Sequence, residues 1–440
     1  MSGGPTVTLQ EWSSIDATAE PALADLWPDT PAIAMATAGL PGNALRVEAC
    51  RTGLQISARQ HVGMVRLGPL TLRIQPKLPP GDLWTALAFS LGLDAVPRYE
   101  SVDDVLDGDF IDDLARLLLD ESDRLWRLGP HRTYQTAADW LASPRGRPDL
   151  TVLSRHQPLR RAALPCRFHE RSADNATNAA VQAGLMLAAS LVRSLGLRSA
   201  LQRAQRLWAD VCAPRPLDAN LLADARRQRS RLNARYDGAH ALVELLLVGL
   251  GRGELEREGH TTPLPGFLVD MSSVWERFLE RFLEAFLPPG VQVAPQRTLR
   301  HLYRVAKAPS GWHPPRPRPD LVLSDHGAPS MVIDAKYRDI LARGLPREIL
   351  YQMSVYALAW STHGDGVPAV AICPSRGHPG EAWLTIHPPK GGVRHIGVRT
   401  VDWSAALAAV RRRDHAAAQE MAATWSASTP APPQAGVVGA

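Results

Sequence analysis

The chain has 440 residues, 45% hydrophobic and 21% charged, which is an ordinary globular composition with room for two or three domains. A formal net charge of +5 is too small to define a nucleic-acid binder by itself. Cys50, Cys166, Cys212 and Cys373 are far apart and form no C-x-x-C, which argues against a zinc or iron–sulfur centre and fits a reducing, cytoplasmic setting. No secretory signal opens the sequence, and its most apolar run, 239–251, is short and carries Glu244, so no membrane span is expected.

Residues 1–80 read mainly as strands, at 32–35, 45–49 and 54–58, followed by an alternating segment, 62–77, whose central Gly68-Pro69 predicts a hairpin. Helices are expected at 81–93 and 111–128 from apolar spacing. Residues 143–171 read as irregular and basic, with Arg145, Arg147, Arg155, Arg160, Arg161, Arg167 and Arg171 forming either a solvated loop or a surface for nucleic acid or a protein partner. A helix from Asn175 to 195 should end at Gly196 as its C-cap, and the Asn175/Asn178 pair reads as helix-start chemistry. Further helices are expected at 197–211 and 219–250. After the proline-rich break at 261–266 the pattern becomes α-β-β-β-α-β: a helix at 273–287, one or two strands at 291–305, two strands around a turn, a helix at 347–360 and a strand at 367–373. The Ala/Pro/Gly-rich end, from about 425, reads as disordered. These shifts give a mixed α/β, multidomain chain: a β-rich α+β domain (1–165), a helical connector (166–260), an α/β unit (261–400), and a helix with a tail (401–440).

The two central strands of the α/β unit carry its chemistry. Arg318-Pro319-Asp320 leads into Leu321-Val322-Leu323, and Met331-Val332-Ile333 leads into Asp334-Ala335-Lys336. A hairpin centred on Gly327 places Asp320 opposite Asp334, and strand alternation puts Asp334 and Lys336 on one face. Two facing carboxylates repel unless a cation lies between them, and hard oxygen ligands favour Mg²⁺ or Mn²⁺. A lysine beside such an ion suits phosphodiester hydrolysis, where it can orient water or neutralise transition-state charge. The plainer alternative is a hairpin with solvated acids at its ends. Arg147-Pro148-Asp149-Leu150 repeats the letters, but no D-x-K or E-x-K follows at hairpin distance, so it reads as a decoy. No acid occurs between Ala285 and Pro319, while Arg297, Arg300, Arg304, Lys307, Arg316 and Arg318 accumulate, as a track for a phosphate backbone requires. A solvated basic loop is the other reading.

The pattern P-D-x(13)-D-x-K resembles the PD-(D/E)xK nuclease superfamily, whose restriction-endonuclease-like core has this α-β-β-β-α order. The resemblance implies Asp320, Asp334 and the Ala335 carbonyl as metal ligands and Lys336 as a catalytic residue. Gln352-Met353-Ser354-Val355-Tyr356 resembles the Q-x-x-x-Y element of that superfamily, with Gln352 and Tyr356 one turn apart on a helix face. Glu276 resembles the acid on its first helix, although Ser273-x-x-Glu276 also reads as a capping box. Val62 to Gly68, Ile74-Gln75-Pro76-Lys77, Arg145-Gly146-Arg147, Asn175, and Val274-Trp275-Glu276-Arg277-Phe278 are similar to landmarks of the McrC family of McrBC restriction systems. That resemblance implies a nuclease subunit for double-stranded DNA carrying modified cytosine, partnered by an McrB-like AAA+ GTPase hexamer. The 1–165 segment would dock the partner, and GTP would be used by the partner, since this chain has no Walker A motif. Competing expectations are a stand-alone or recombination-type Q-x-x-x-Y nuclease, or a non-catalytic DNA-binding adaptor.

Overall fold

The computed structural model describes residues 5–40, 44–92, 110–155, 163–192, 194–249, 266–298, 302–303, 306–309, 311–314, 316–360, 366–388 and 392–428. It is a mixed α/β structure with four sheets among these residues. The break at 261–265, Arg160, Arg161, Arg300, Arg304 and the end from 429 lie outside them.

The hairpin expected at 62–77 is present as the strands His61–Leu67 and Leu70–Gln75, joined at Gly68 in a left-handed conformation (φ 61°). Thr6–Gln10 pairs in parallel with the second of these strands, and Gly266–Asp270 pairs antiparallel with the first. A strand some two hundred residues downstream therefore completes the N-terminal sheet, although the sequence places it with the α/β unit. A smaller sheet of Ser14–Asp16, Gly53–Ala58 and Leu45–Cys50 shares a core with this one through Val7, Ile56, Val65 and Leu72. The strand expected at 32–35 is instead inside the helix Pro31–Ala38. Pro31 supplies the helical φ of a first position, and the alanines that follow favour helix over strand.

The described parts of the segment expected to be irregular, 143–155 and 163–171, contain regular elements. Leu164–Ser172 pairs along its whole length with Thr133–Leu141, and Arg147–Pro148 adds a short third strand. Asp149, read as a decoy, takes a local structural place: its Oδ1 caps the helix Leu150–Arg155 by accepting from Thr151 and Val152 N–H groups, and Oδ2 meets Arg167 Nε at 2.6 Å. Asn175 likewise caps Ala176–Leu191. Gly196 does not end that helix. Ser194 caps a new helix, Leu195–Ala209, and Gly196 lies within its first turn. The single helix expected at 219–250 is two, Ala219–Arg227 and Asp237–Gly249. Between them the Asn233 side chain bonds the Ser230 N–H and Gln228 carbonyl, and such local bonds compete with helix continuation.

The C-terminal sheet has six strands, in the order Val291–Pro295, Leu321–Asp325, Ala328–Ala335, Ala369–Ser375, Arg394–Asp402, Gly380–Ile386. The three central neighbours run in parallel and the outer pairs are antiparallel. One face receives Met271–Phe286, whose buried Trp275 donates from its indole N–H to the Ile372 carbonyl at 3.2 Å. The other receives Arg347–Ala359 through Met353, Tyr356 and Ala357. Beyond residue 402 the helices Trp403–Arg412 and His415–Trp425 pack onto the first face, with ring centroids of Trp403 and Trp425 5.1 and 6.5 Å from Trp275. Order thus continues through the start of the segment read as disordered, because Trp425 is 4% exposed and Arg399 bonds its carbonyl.

Gly63 shows how closely the two sheet partners approach. Its φ is 134°, and a Cβ there would lie 2.1 Å from the Phe267 carbonyl oxygen. Gly63→Ala should therefore push Gly266–Asp270 off the sheet and cost about 2–4 kcal/mol. An unchanged denaturation midpoint in urea would contradict this packing.

Candidate active site

A tight turn builds the hairpin at the site. His326 (φ 47°) and Gly327 (φ 84°) are both left-handed, as a two-residue hairpin loop demands, and Asp325 pairs with Ala328. Continued without interruption, that ladder would set Asp334 opposite Pro319. Instead Ser324 pairs with Pro329 and Leu323 with Met331, leaving Ser330 as a bulge. The next pairs are Val322 with Val332 and Leu321 with Ile333, so Asp320 and Asp334 come next to each other at the end of the ladder. The sequence reading placed these acids correctly but treated the turn as one residue longer.

Asp320 Oδ2 accepts the Ala335 N–H at 2.7 Å. Asp334, 1% exposed, lies with its Oδ2 2.5 Å from Lys336 Nζ. That oxygen has no other close partner among the described residues. Its Oδ1 accepts from Gln352 Nε2 at 3.2 Å, and the same Nε2 donates to Tyr356 Oη at 3.0 Å. Asp320, Asp334, Lys336, Gln352 and Tyr356 therefore converge.

Glu276 joins them through a residue that the sequence reading missed. Gln296 Nε2 donates to Glu276 Oε1 at 3.2 Å, while Gln296 Oε1 accepts from Arg318 Nη2. The Gln296 backbone is left-handed (φ 51°), and its N–H bonds the Asp320 carbonyl at 2.7 Å. Nothing in the sequence marked it, because its role follows from the pairing of Val291–Pro295 with Leu321–Asp325. The capping-box reading of Glu276 fails: the helix starts two residues earlier, at Met271, and Asp270 caps it by accepting from Ser272 N–H.

Burial dominates the electrostatics. It pushes the Asp320 carboxyl up to about 7, with further upward pressure from Asp334 and Glu276 and opposition from the Ala335 N–H and Lys336. Asp334 is raised as well, first by burial, although Lys336 pulls it down. Burial lifts the Tyr356 phenol to about 12. Two acids so poorly stabilised fit a divalent cation, which would relieve both. Among the described residues no three His, Cys, Asp or Glu side chains group closely enough to hold an ion. An ion at this site would take the two aspartates and the Ala335 carbonyl from the protein and its remaining oxygens from water or a phosphate, as Mg²⁺ commonly does. In the sequence before Asp320, Arg297, Lys307, Arg316 and Arg318 are exposed, as are Tyr303 and Trp312.

These features define the class of protein: a mixed α/β chain with a half-buried Asp320, a buried Asp334 and a lysine at the end of a sheet hairpin. The family described as "McrBC 5-methylcytosine restriction system component" matches residues 56–367. The chain belongs to this family. No curated protein matches it. A chain of the refined half-complex from a tetradecameric assembly of Thermococcus gammatolerans McrB AAA+ hexamers with bound McrC is similar in fold. It is 21% identical with a TM-score of 0.53, over 90% of this chain and 94% of that one. The cryo-EM structure of the Thermococcus gammatolerans McrBC complex is more distant, 20% identical with a TM-score of 0.43, over 64% of this chain and 87% of that one.

The raised Asp320 gives a pH test. Its carboxyl holds a proton in the folded chain to about pH 7, against an ordinary value of 3.8. Its contribution to stability is therefore complete below about pH 4 and lost as pH rises through 7. Without metal, in EDTA, Asp320→Asn should melt higher than the parent at pH 8 by about 2 kcal/mol, after allowance for partial solvent screening. The advantage should vanish near pH 4.5. An equal difference at both pH values would contradict the assignment.

Proposed function

We propose that this chain is the Mg²⁺-dependent DNA endonuclease subunit of a modification-dependent restriction system, with a PD-(D/E)xK core between residues 261 and 400. The observation that carries the reading is the Asp320/Asp334 pair at the ladder end, with Lys336 bonded to Asp334. Mg²⁺, or Mn²⁺ in its place, would be held by Asp320, Asp334 and the Ala335 carbonyl, and would supply Lewis-acid polarisation of the phosphate. The exposed arginines before Asp320 bind and align the DNA backbone. Asp320, once deprotonated, and Asp334 hold the site's negative charge. Gln352 fixes the Asp334 carboxylate from the opposite side, backed by Tyr356. The Lys336 ammonium lies where charge accumulates on the scissile phosphate and can also orient the attacking water. Glu276, fixed by Gln296, adds negative charge beside the two aspartates.

The family also supports the partner. The T. gammatolerans assembly pairs McrC with McrB AAA+ hexamers, and we infer a similar GTPase motor for this chain, with the motor reading modified cytosine and consuming GTP. Residues 1–165 are the part proposed to dock it, with 166–260 as connector and 401–440 as an appended segment. The Thr133–Leu141/Leu164–Ser172 arm suits docking because Tyr134 is 73% exposed and Leu150, on the helix beside it, 71%.

Docking and cutting should then separate. Asp320→Asn should reduce DNA cleavage about a thousandfold while leaving stimulation of the motor's GTP turnover within about twofold of the parent. Tyr134→Ala with Leu150→Ser, both exposed positions, should weaken stimulation and leave the acidic site intact. Equal loss of GTPase stimulation in the two proteins would overturn the division. Wild-type cleavage by the Asp320→Asn protein would overturn the nuclease assignment.

A further inference from the structure

A cavity of about 510 Å³ opens where the N-terminal sheet meets the C-terminal sheet. That volume is within the range of small-molecule sites. It lies beyond the carboxyl ends of the parallel strands Ala328–Ala335 and Ala369–Ser375, where open α/β sheets ordinarily receive ligands. It does not belong to the acidic site. Asp334 faces Gln352 and Tyr356, whereas Tyr337, in the cavity wall, packs on the other side of the sheet against Trp403, with ring centroids 6.0 Å apart.

Three observations characterise this cavity. Its walls are apolar and aromatic, with Trp12, Tyr337 and Trp403 around Leu78 and Leu341, while Arg338 and Arg376 border it. Both arginines are exposed and neither has an ion pair among the described residues, although Arg376 lies close enough to Glu11 to favour its charged form, and Asp339 and Lys77 also line the cavity. Trp12 itself is left-handed (φ 60°), a conformation a bulky residue keeps only when its surroundings enforce it. Fully buried Glu11 accepts the Lys77 N–H at 2.7 Å and the Tyr337 O–H at 2.9 Å on one oxygen, which ties the Trp12 turn to both sheets.

We propose that this cavity binds one nucleoside 5′-phosphate, its base against the aromatic wall and its phosphate toward Arg338 and Arg376. Aromatic faces stack on any base, and guanidinium groups pair with phosphate oxygens in a planar, bidentate way. The same chemistry is offered by the 5′-phosphorylated end of a DNA strand and by a free nucleotide. The site goes beyond the nuclease reading and needs neither Asp320 nor Asp334.

The test uses the full chain in EDTA, so that cleavage plays no part, with calorimetric titration of dTMP, thymidine, inorganic phosphate, and a short oligothymidylate with or without a 5′-phosphate. We expect saturable dTMP binding, with thymidine and phosphate each about tenfold weaker or more. Arg376→Ala should weaken dTMP about tenfold and Arg376→Glu further, while Asp334→Asn leaves it unchanged; because Arg376 favours the Glu11 charge, a thermal melt first establishes that both variants keep the fold, and Arg376→Gln replaces either one that does not. Tight binding of the 5′-phosphorylated oligomer as well would identify a strand end as the source, and binding of dTMP alone a free nucleotide. Absence of saturable binding to every phosphorylated probe, or an affinity indifferent to both Arg376 variants, would overturn the proposal.

Discussion

The two-residue turn at His326-Gly327 and the extra residue Ser330 together decide which face of the sheet Asp334 occupies. Side chains alternate, so a slip of one residue would move Met331 and Ile333 out of the core that they share with Trp275, and Val332 out of the core that it shares with Met353. Register is thus fixed from both faces at once. The acidic pair at the ladder end inherits that precision without contributing to it. The acids are themselves unfavourable, since burial raises both carboxyls, Asp334 and Glu276 raise Asp320 further, and Glu276 adds to the rise at Asp334. A packed hydrophobic sheet holds in place a charge arrangement that would not assemble by itself, which is a common economy of active sites.

The site is also tied to the rest of the chain. Gly266–Asp270 completes the N-terminal sheet and passes directly into the helix that carries Trp275 and Glu276. Tyr337, the residue after Lys336, donates to Glu11 in the N-terminal sheet. Asp82 on the helix Pro80–Leu91 meets Arg411 at 3.1 Å. A displacement of the N-terminal sheet therefore has short covalent and hydrogen-bonded routes to Lys336 and Glu276. That arrangement suits the proposed role, in which cutting would answer to a partner held elsewhere on the chain.

What could be read from the sequence was local. Asp320, Asp334 and Lys336 follow from strand alternation and a short turn, and Gln352 and Tyr356 were marked by their resemblance to a Q-x-x-x-Y element, with helix spacing putting them on one face. Contacts that depend on distant segments were not legible. Gln296 reaches Glu276 only because one edge strand pairs with Leu321–Asp325, and no spacing rule reports that. The strand Leu164–Ser172 is rich in polar residues because it belongs to an exposed arm with little core, so its composition resembled a loop. At 32–35 a short apolar run was ambiguous between strand and helix, and Pro31 was the overlooked deciding residue. The Ser273-x-x-Glu276 box was a plausible cap displaced by a stronger one, Asp270, three residues upstream.

The central claim is that the opposed aspartates form one divalent-cation site. Calorimetric titration of Mn²⁺ into the full chain at pH 8, where Asp320 is ionised, tests it most directly. The account predicts one ion per chain with a dissociation constant in the millimolar range or below, and loss of that binding in Asp334→Ala. Identical titrations of the parent and Asp334→Ala would contradict it.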